Sequence, residues 1–168
     1  MDDKRIHIVG PGGSGKTFAA HALSMEFDLP VYSLDDIFWT QRPGTAGNEP
    51  RPEGARVDDV RRAASQRRWI IEGIYTAWVS DAFERATRIY FLDAPLMRRQ
   101  WRTLTRGIRK GDSWRSLIAL LLYNQTWDQE KKPRAIARLE PYRHKVLMVK
   151  SVAEIVAVER EHPFSTLS

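Results

Sequence analysis

Between positions 10 and 17 the chain reads "GPGGSGKT", which sets Gly10, Gly15, Lys16 and Thr17 in the spacing G-x-x-x-x-G-K-[ST]. Residues of these types at that spacing suit phosphate. Glycines reach backbone angles closed to other residues, so the N–H groups of the loop can curl around an anion. Lys16 is then expected to face the outer phosphates of a nucleotide, and the Thr17 hydroxyl a magnesium ion. The plainer alternative is a structural glycine turn. Further along, Arg98, Arg102, Arg106 and Arg109 fall at i, i+4, i+8 and i+11, a single stripe on a helical face. Like charges in a stripe repel one another, and pairing of their guanidinium forks with a polyphosphate relieves the repulsion. A solvated basic face is the alternative. Arg99 lies off the stripe and is expected to matter little, while Trp101, Leu104 and Ile108 form a second, apolar face. Glu72 closes the apolar run "WIIEG". A carboxylate there is costly unless it lies near a cation, so it holds either a magnesium-bound water or an ion-pair or capping partner. Asp35 and Asp36 are adjacent and point opposite ways on an extended chain, so only one of them faces a cleft. Phe38, Trp39 and Tyr75 line an acceptor pocket or pack in the core.

These residues need elements to place them. "RIHIV" at 5–9 reads as a buried strand, and "FAAHALSMEF" at 18–27 as a helix stopped by Pro30. Strand, glycine loop and helix form the context that the phosphate motif requires. Further strands are expected at 31–34, 69–73, 87–95 and 145–150. Helices are expected at 55–68, from the basic segment to about Gly111, at 112–130 with Asp112 or Ser113 as N-cap, at 133–142 and at 151–161, with a helix or irregular segment at 76–86. The stretch 40–54 is rich in Pro and Gly, lacks periodicity and reads as a mobile loop on the acceptor side. Short apolar strands alternating with helices imply α/β architecture: a parallel sheet covered on both faces, with ligands beyond the carboxyl ends of the strands. The glycine loop, Asp35, Glu72 and Asp93 all fall at such ends.

A length of 168 residues suits one domain, here 1–168, and 42% hydrophobic content suits a globular protein. No apolar run approaches a membrane span, and the start of the chain shows no signal peptide, so no membrane partner and a cytoplasmic location are expected. With no cysteine and four histidines without metal spacing, disulfide and thiolate-metal chemistry are not expected. The net charge of +6 invites a nucleic-acid reading, but Arg98, Arg99, Arg102, Arg106, Arg109 and Lys110 form one acid-free cluster. With those six set aside, the other 21 bases equal the 21 acids, so nucleic acid is not the expected partner. Monomer and homodimer both stay open.

Taken together, "GPGGSGKT", "VYSLDDIFW", "WIIEGIY", "FLDAP" with Arg102 and Arg106 after it, and "VKSVAEI" near the end resemble the P-loop kinases related to adenylate kinase. The chain is most similar to the small bacterial group of topology-modulation proteins. The resemblance implies a three-layer P-loop NTPase fold with a five-stranded parallel sheet and a helical lid over about 98–130. It implies ATP and Mg2+ at Gly10, Pro11, Gly12, Gly13, Ser14, Gly15, Lys16 and Thr17, with Glu72 on magnesium through water and Arg106 on the nucleotide. It further implies adenine held by the backbone of Lys150, Ser151 and Val152, and catalytic roles for Lys16, Asp35, Arg102 and Arg106. Asp35 matches the Asp of the family's "LD" pair, leaving Asp36 to cap the following turn. Asp35, Phe38, Trp39, Gly73 and Tyr75 would meet a small-molecule acceptor such as a nucleoside, nucleotide or related metabolite. The family usually has Asp where Glu72 stands. Adenylate kinases carry an arginine shortly after the Asp-Gly pair, where this chain has Ile74, Tyr75 and Thr76. That difference favours a hydroxyl acceptor over a phosphate, although Arg42, Arg51 and Arg56 stand near enough to swing in. An ATP-switched nucleic-acid regulator and a nucleotide binder without transfer activity are the rival readings.

Overall fold

A computed structural model describes residues 3–41, 48–111 and 113–162. Five strands form one parallel sheet: β1 (Lys4–Val9), β2 (Val31–Ser33), β3 (Arg68–Gly73), β4 (Arg88–Leu92) and β5 (Val146–Val149), in the order β2-β3-β1-β4-β5. The helices are α1 (Lys16–Phe27), α2 (Leu34–Phe38), α3 (Glu53–Ala64), α4 (Ser80–Arg85), α5 (Leu96–Lys110), α6 (Trp114–Thr126), α7 (Lys132–Leu139) and α8 (Val152–Glu161). A π-helical turn, Trp127–Lys131, joins α6 to α7, and a 3-10 turn, Glu140–Lys145, leads into β5.

Side chains alternate across each strand, so every inner strand buries two faces. Ile6, Ile8, Ile70, Tyr90 and Leu92 pack beneath α1 and α8 with Ala19, Leu23 and Ile155. Val9, Trp69, Ile71, Ile89 and Phe91 pack against α3, α4 and α7 with Val60, Phe83 and Leu139. The result is the expected three-layer α/β fold. His7, on β1, is fully buried against Phe83, and burial pushes its imidazole down to about 3, so it stays neutral. Among the described residues no helix is long and apolar enough to cross a membrane.

The register places the chemistry. Val9 pairs with Gly73 and Ser33 with Glu72, so the chain leaves β1, β2 and β3 at one edge of the sheet. Gly73 makes this convergence possible: a Cβ there would lie 2.6 Å from the Leu34 Cβ, closer than packed carbons tolerate.

Several boundaries differ from the sequence reading. β2 ends at Ser33 and Leu34 already begins α2, so Ser33 is the N-cap and Asp36 sits inside the first turn, where a negative charge suits the helix dipole. α3 starts at Glu53, because the 40–54 stretch is partly structured: the Thr40 N–H donates to the Glu49 carbonyl at 3.0 Å, and Trp39 bridges Pro50. Residues 42–47 of that loop, including Arg42, lie outside the described residues, as does Asp112. Ser113 is the N-cap of α6, its hydroxyl accepting from the Ser116 N–H at 3.3 Å. The expected helix over 112–130 ends at Thr126, where the chain widens into the π turn.

Candidate active site

The glycine loop leaves β1 and closes on α1 through Gly15, whose left-handed φ of 105° leaves the first turn without a side-chain cap. The orphan N–H groups of that turn point out of the helix, a ready anion site. At Gly13, φ is 73° and a Cβ would stand 2.8 Å from the Arg99 carbonyl, so only glycine lets α5 ride directly on the loop. Lys16 is buried, at 9% exposure, and its ammonium donates to the Pro11 carbonyl at 2.8 Å. No carboxylate lies within ion-pair distance of it among the described residues. Burial holds its pKa below the usual lysine range, opposed by the more distant charges of Glu72 and Asp35. The Ser14 hydroxyl is also buried and has no hydrogen-bond partner among the described residues. A buried cation that lacks a counter-ion, beside a bare helix N-terminus, fits a polyphosphate.

Thr17 donates its hydroxyl to Glu72 Oε1 at 3.2 Å. Glu72 is buried, and desolvation raises its pKa against the opposing effects of Lys16 and of hydrogen bonds from Ser33 and Thr17. No group of three or more acidic or imidazole side chains that could hold a metal occurs among the described residues. A magnesium ion needs no such group when nucleotide oxygens and water fill most of its octahedron, and the Thr17–Glu72 pair fits that lighter demand.

Gly12, Gly13, Gly15, Lys16, Thr17, Asp35, Glu72, Arg102 and Arg106 all line one cavity of about 530 Å³. Phe18, Ile74, Leu120 and Tyr123 complete its wall. Asp35 reaches it from the first turn of α2. Beside Asp35, the Tyr75 hydroxyl is held above its ordinary range first by burial and then by the Asp35 charge, to which it also hydrogen-bonds. Tyr75 stacks on Phe38 with ring centroids 4.6 Å apart, and Phe38 meets Trp39 edge-on at 4.8 Å. Gly73 faces Leu34. Asp93 does not line this cavity; it pairs with Lys132 on α7. Arg51, which the sequence leaves free to swing in, donates to the Ile37 carbonyl and pairs with Asp59 at 2.7 Å.

The basic helix α5 turns a different face inward from the one its apolar pattern suggests. Trp101 and Ile108 are 68% and 58% exposed, whereas Arg99, Thr103 and Gly107 are buried. Arg99, 1% exposed, pairs with Asp128 in the π turn and donates to the Asn124 carbonyl. Buried Asn124 donates to Thr103 Oγ1 at 3.0 Å. These polar contacts join α5 to α6, and the backbone of Arg99 meets Gly13. Arg102, next around the helix, donates to the Ser14 carbonyl at 2.7 Å. Arg98 and Arg109 are exposed and line no part of the cavity. Arg99 is therefore an anchor and not a bystander. Asp128→Ala leaves its guanidinium buried and unmatched. The expected loss is on the order of 2–3 kcal/mol, less than the 3–5 of a fully enclosed pair because Asp128 is 34% exposed. Denaturant unfolding measures it, and a loss below about 0.5 kcal/mol, the scale of an ordinary surface change, would deny the pair any anchoring role.

Near the carboxyl end of β5, Ser151 caps α8 in a box with Glu154, which also accepts from the Lys150 N–H at 3.0 Å. Val152 lines a small apolar cavity with Gly15, Phe18 and Arg102. Sequence alone sets Arg99 aside as a residue of little consequence and does not single out Asn124, Tyr123 or the cations Lys131, Arg134 and Arg138. The i, i+4 spacing of Arg134 and Arg138 in "PRAIAR" was the one visible signal.

This architecture is the P-loop kinase fold. No family model matches the chain, and no curated protein matches its sequence. Solved structures do match its shape. A gluconokinase from Sinorhizobium meliloti is 18% identical with TM-score 0.55, over 92% of this chain and 88% of that one. A shikimate kinase from Bacteroides thetaiotaomicron is 16% identical with TM-score 0.56, over 95% and 97%. An uncharacterized protein from Eubacterium ventriosum is 14% identical with TM-score 0.57, over 96% and 98%. At such identities the likeness is one of fold.

Proposed function

We infer that the chain is an ATP-dependent phosphotransferase acting on a small molecule, of the adenylate-kinase-like kind and related to the topology-modulation proteins. The observation that carries the reading is the buried Lys16 ammonium. Among the described residues it lies without a counter-ion in the glycine loop, in one cavity with Thr17, Glu72, Asp35 and the cavity-lining Arg102 and Arg106. The loop N–H groups and Lys16 hold the phosphates of ATP, and Thr17 and the Glu72 carboxylate hold hydrated magnesium, which supplies charge neutralisation. Val152 and the apolar cavity beside Gly15 receive the base. Since the Lys150 N–H is already taken by Glu154, backbone contacts to the base fall to Ser151 and Val152. Helices α5 and α6 form the lid, with Arg102 and Arg106 beneath it.

The protein works by positioning and charge. The acceptor oxygen forms the new O–P bond as the bridging O–P bond of ATP breaks. ADP leaves with the bonding pair, and Asp35 takes the hydroxyl proton. Arg102 turned onto the loop supports a lid against the nucleic-acid reading, which calls for arginines facing outward. A panel of alcohols, nucleosides and nucleoside monophosphates, assayed with ATP and magnesium for ADP release above background, tests the reading. Asp35→Asn should lower kcat on a hydroxyl acceptor about 10²–10⁴-fold, the range of a lost general base. A monophosphate as best acceptor with Asp35→Asn fully active would instead place the protein among the nucleoside-monophosphate kinases.

A further inference from the structure

Beside the phosphate cleft lies a second cavity of about 280 Å³, with cationic and aromatic walls. Ile74 and Tyr123 line both spaces, so the two are neighbours across a shared wall. Lys131, Arg134 and Arg138 line one side, and Tyr75, Trp78 and Trp127 supply rings. No lining residue is acidic. Positions 131, 134 and 138 fall at i, i+3 and i+7, one face of the π turn and α7.

None of the three cations has a carboxylate within ion-pair distance among the described residues. The Lys131 ammonium sits 4.0 Å over the Tyr123 ring, Arg138 donates to Thr76 Oγ1 at 3.0 Å, and Arg134 has no hydrogen bond or ion pair within that set. The adjacent Lys132, by contrast, is paired with Asp93. Three like charges on one concave wall repel each other, and a bound anion removes the repulsion. Arginine forks match the planar oxygens of a carboxylate, and equally those of a phosphate. The connection to the chemistry is Tyr75, which lines this cavity and hydrogen-bonds to Asp35 in the cleft.

We propose that this second cavity holds the phosphoryl acceptor and that the acceptor is a small hydroxy acid. Its anionic group, a carboxylate or a phosphate ester, rests on Arg134 and Arg138. Its reactive hydroxyl reaches past Tyr75 toward Asp35. The proposal rests on the kinase reading of the P-loop, and it adds the acceptor's charge and the residues that read it. The volume falls just below the roughly 300–1,000 Å³ of drug-sized ligand pockets, a size suited to a monosaccharide-sized acid.

The test uses the full chain and matched probes: aliphatic and cyclic hydroxy acids, the neutral alcohol or sugar of each skeleton, and the corresponding sugar phosphates. Binding is read from the fluorescence of Trp78 and Trp127, and turnover with ATP from ADP release. At least one acid should bind about 10–100-fold more tightly than its neutral partner, the scale of a charge-assisted pair. The better of carboxylate and phosphate ester identifies the anion. Arg134→Ala and Arg138→Ala, at exposed positions the fold tolerates, should each erase most of that preference while leaving ATP affinity unchanged. Lys16→Ala should do the reverse, losing ATP and keeping the acid. If ATP binds the wild type but no acid exceeds its neutral partner, or both arginine variants keep the preference, the proposal is overturned. If the acid binds and ATP does not, the kinase reading fails and the anion site stands.

Discussion

Lys16→Ala should abolish phosphoryl transfer and nearly abolish ATP binding while leaving the fold as stable as before. The ammonium's one hydrogen-bond partner at present is the Pro11 carbonyl, and burial already disfavours its charge. Removing it relieves a desolvation cost in the free protein and deletes the main cation facing the outer phosphates in the complex. Binding and turnover thus fall while stability does not, a separation that few structural roles would produce. Activity should fall by at least about 10³-fold, the upper range for loss of one preorganised charge-stabilising donor. Calorimetry with ATP, a turnover assay and a thermal melt check all three parts. Near wild-type turnover would end the P-loop assignment, and a large drop in melting temperature would make the lysine a structural residue.

Arg106→Ala should lower kcat far more than it raises KM. Arg106 lines the cavity but has no ion pair among the described residues, so its guanidinium is available when charge spreads over the transferring group. The loss should be on the order of 2–4 kcal/mol of transition-state stabilisation. Arg102→Ala should differ in kind. Its Nη1 already grips the Ser14 carbonyl, so its removal also loosens the lid from the loop and raises KM as well. Arg109→Ala is the proper control, since Arg109 lies on the same stripe but outside the cavity. Arg99 cannot serve as one, because it is buried on Asp128. Equal losses at Arg109 and Arg106 would return the segment to a diffuse basic surface.

The sheet and the glycine loop were legible because their signals are local. Short apolar runs in "RIHIV" and "RIYFL" identify strands, and the phosphate motif carries its own context in the flanking strand and helix. The lid was half legible. Periodicity shows which residues share a helical face but not which face another element covers. Trp101 and Ile108 share an apolar face in sequence, yet α5 docks through Arg99, Thr103 and Gly107, since small and polar groups allow its backbone to reach Gly13. The partner that makes Arg99 buriable, Asp128, stands 29 positions away in a π turn that no helical period forecasts. Arg134 and Arg138 carry no motif of their own, and only the fold sets them in a cavity with Tyr75 and Trp78.

The strand order carries a consequence for how the chain is made. β1 is the central strand, and its neighbours β3 and β4 begin only at Arg68 and Arg88. β1 therefore has both of its partners only once Leu92 has emerged. At roughly 5–20 residues per second that interval is on the order of 5–20 s. During it the edges of "RIHIV" are unpaired and both of its faces exposed. Non-local pairing of this kind slows folding and exposes the nascent chain to association. Lys4 and Arg5 at the start of the strand, with Asp3 before them, put charge beside the apolar run at its most vulnerable stage. Pauses in translation before position 92 should therefore lower soluble yield more than pauses placed after it.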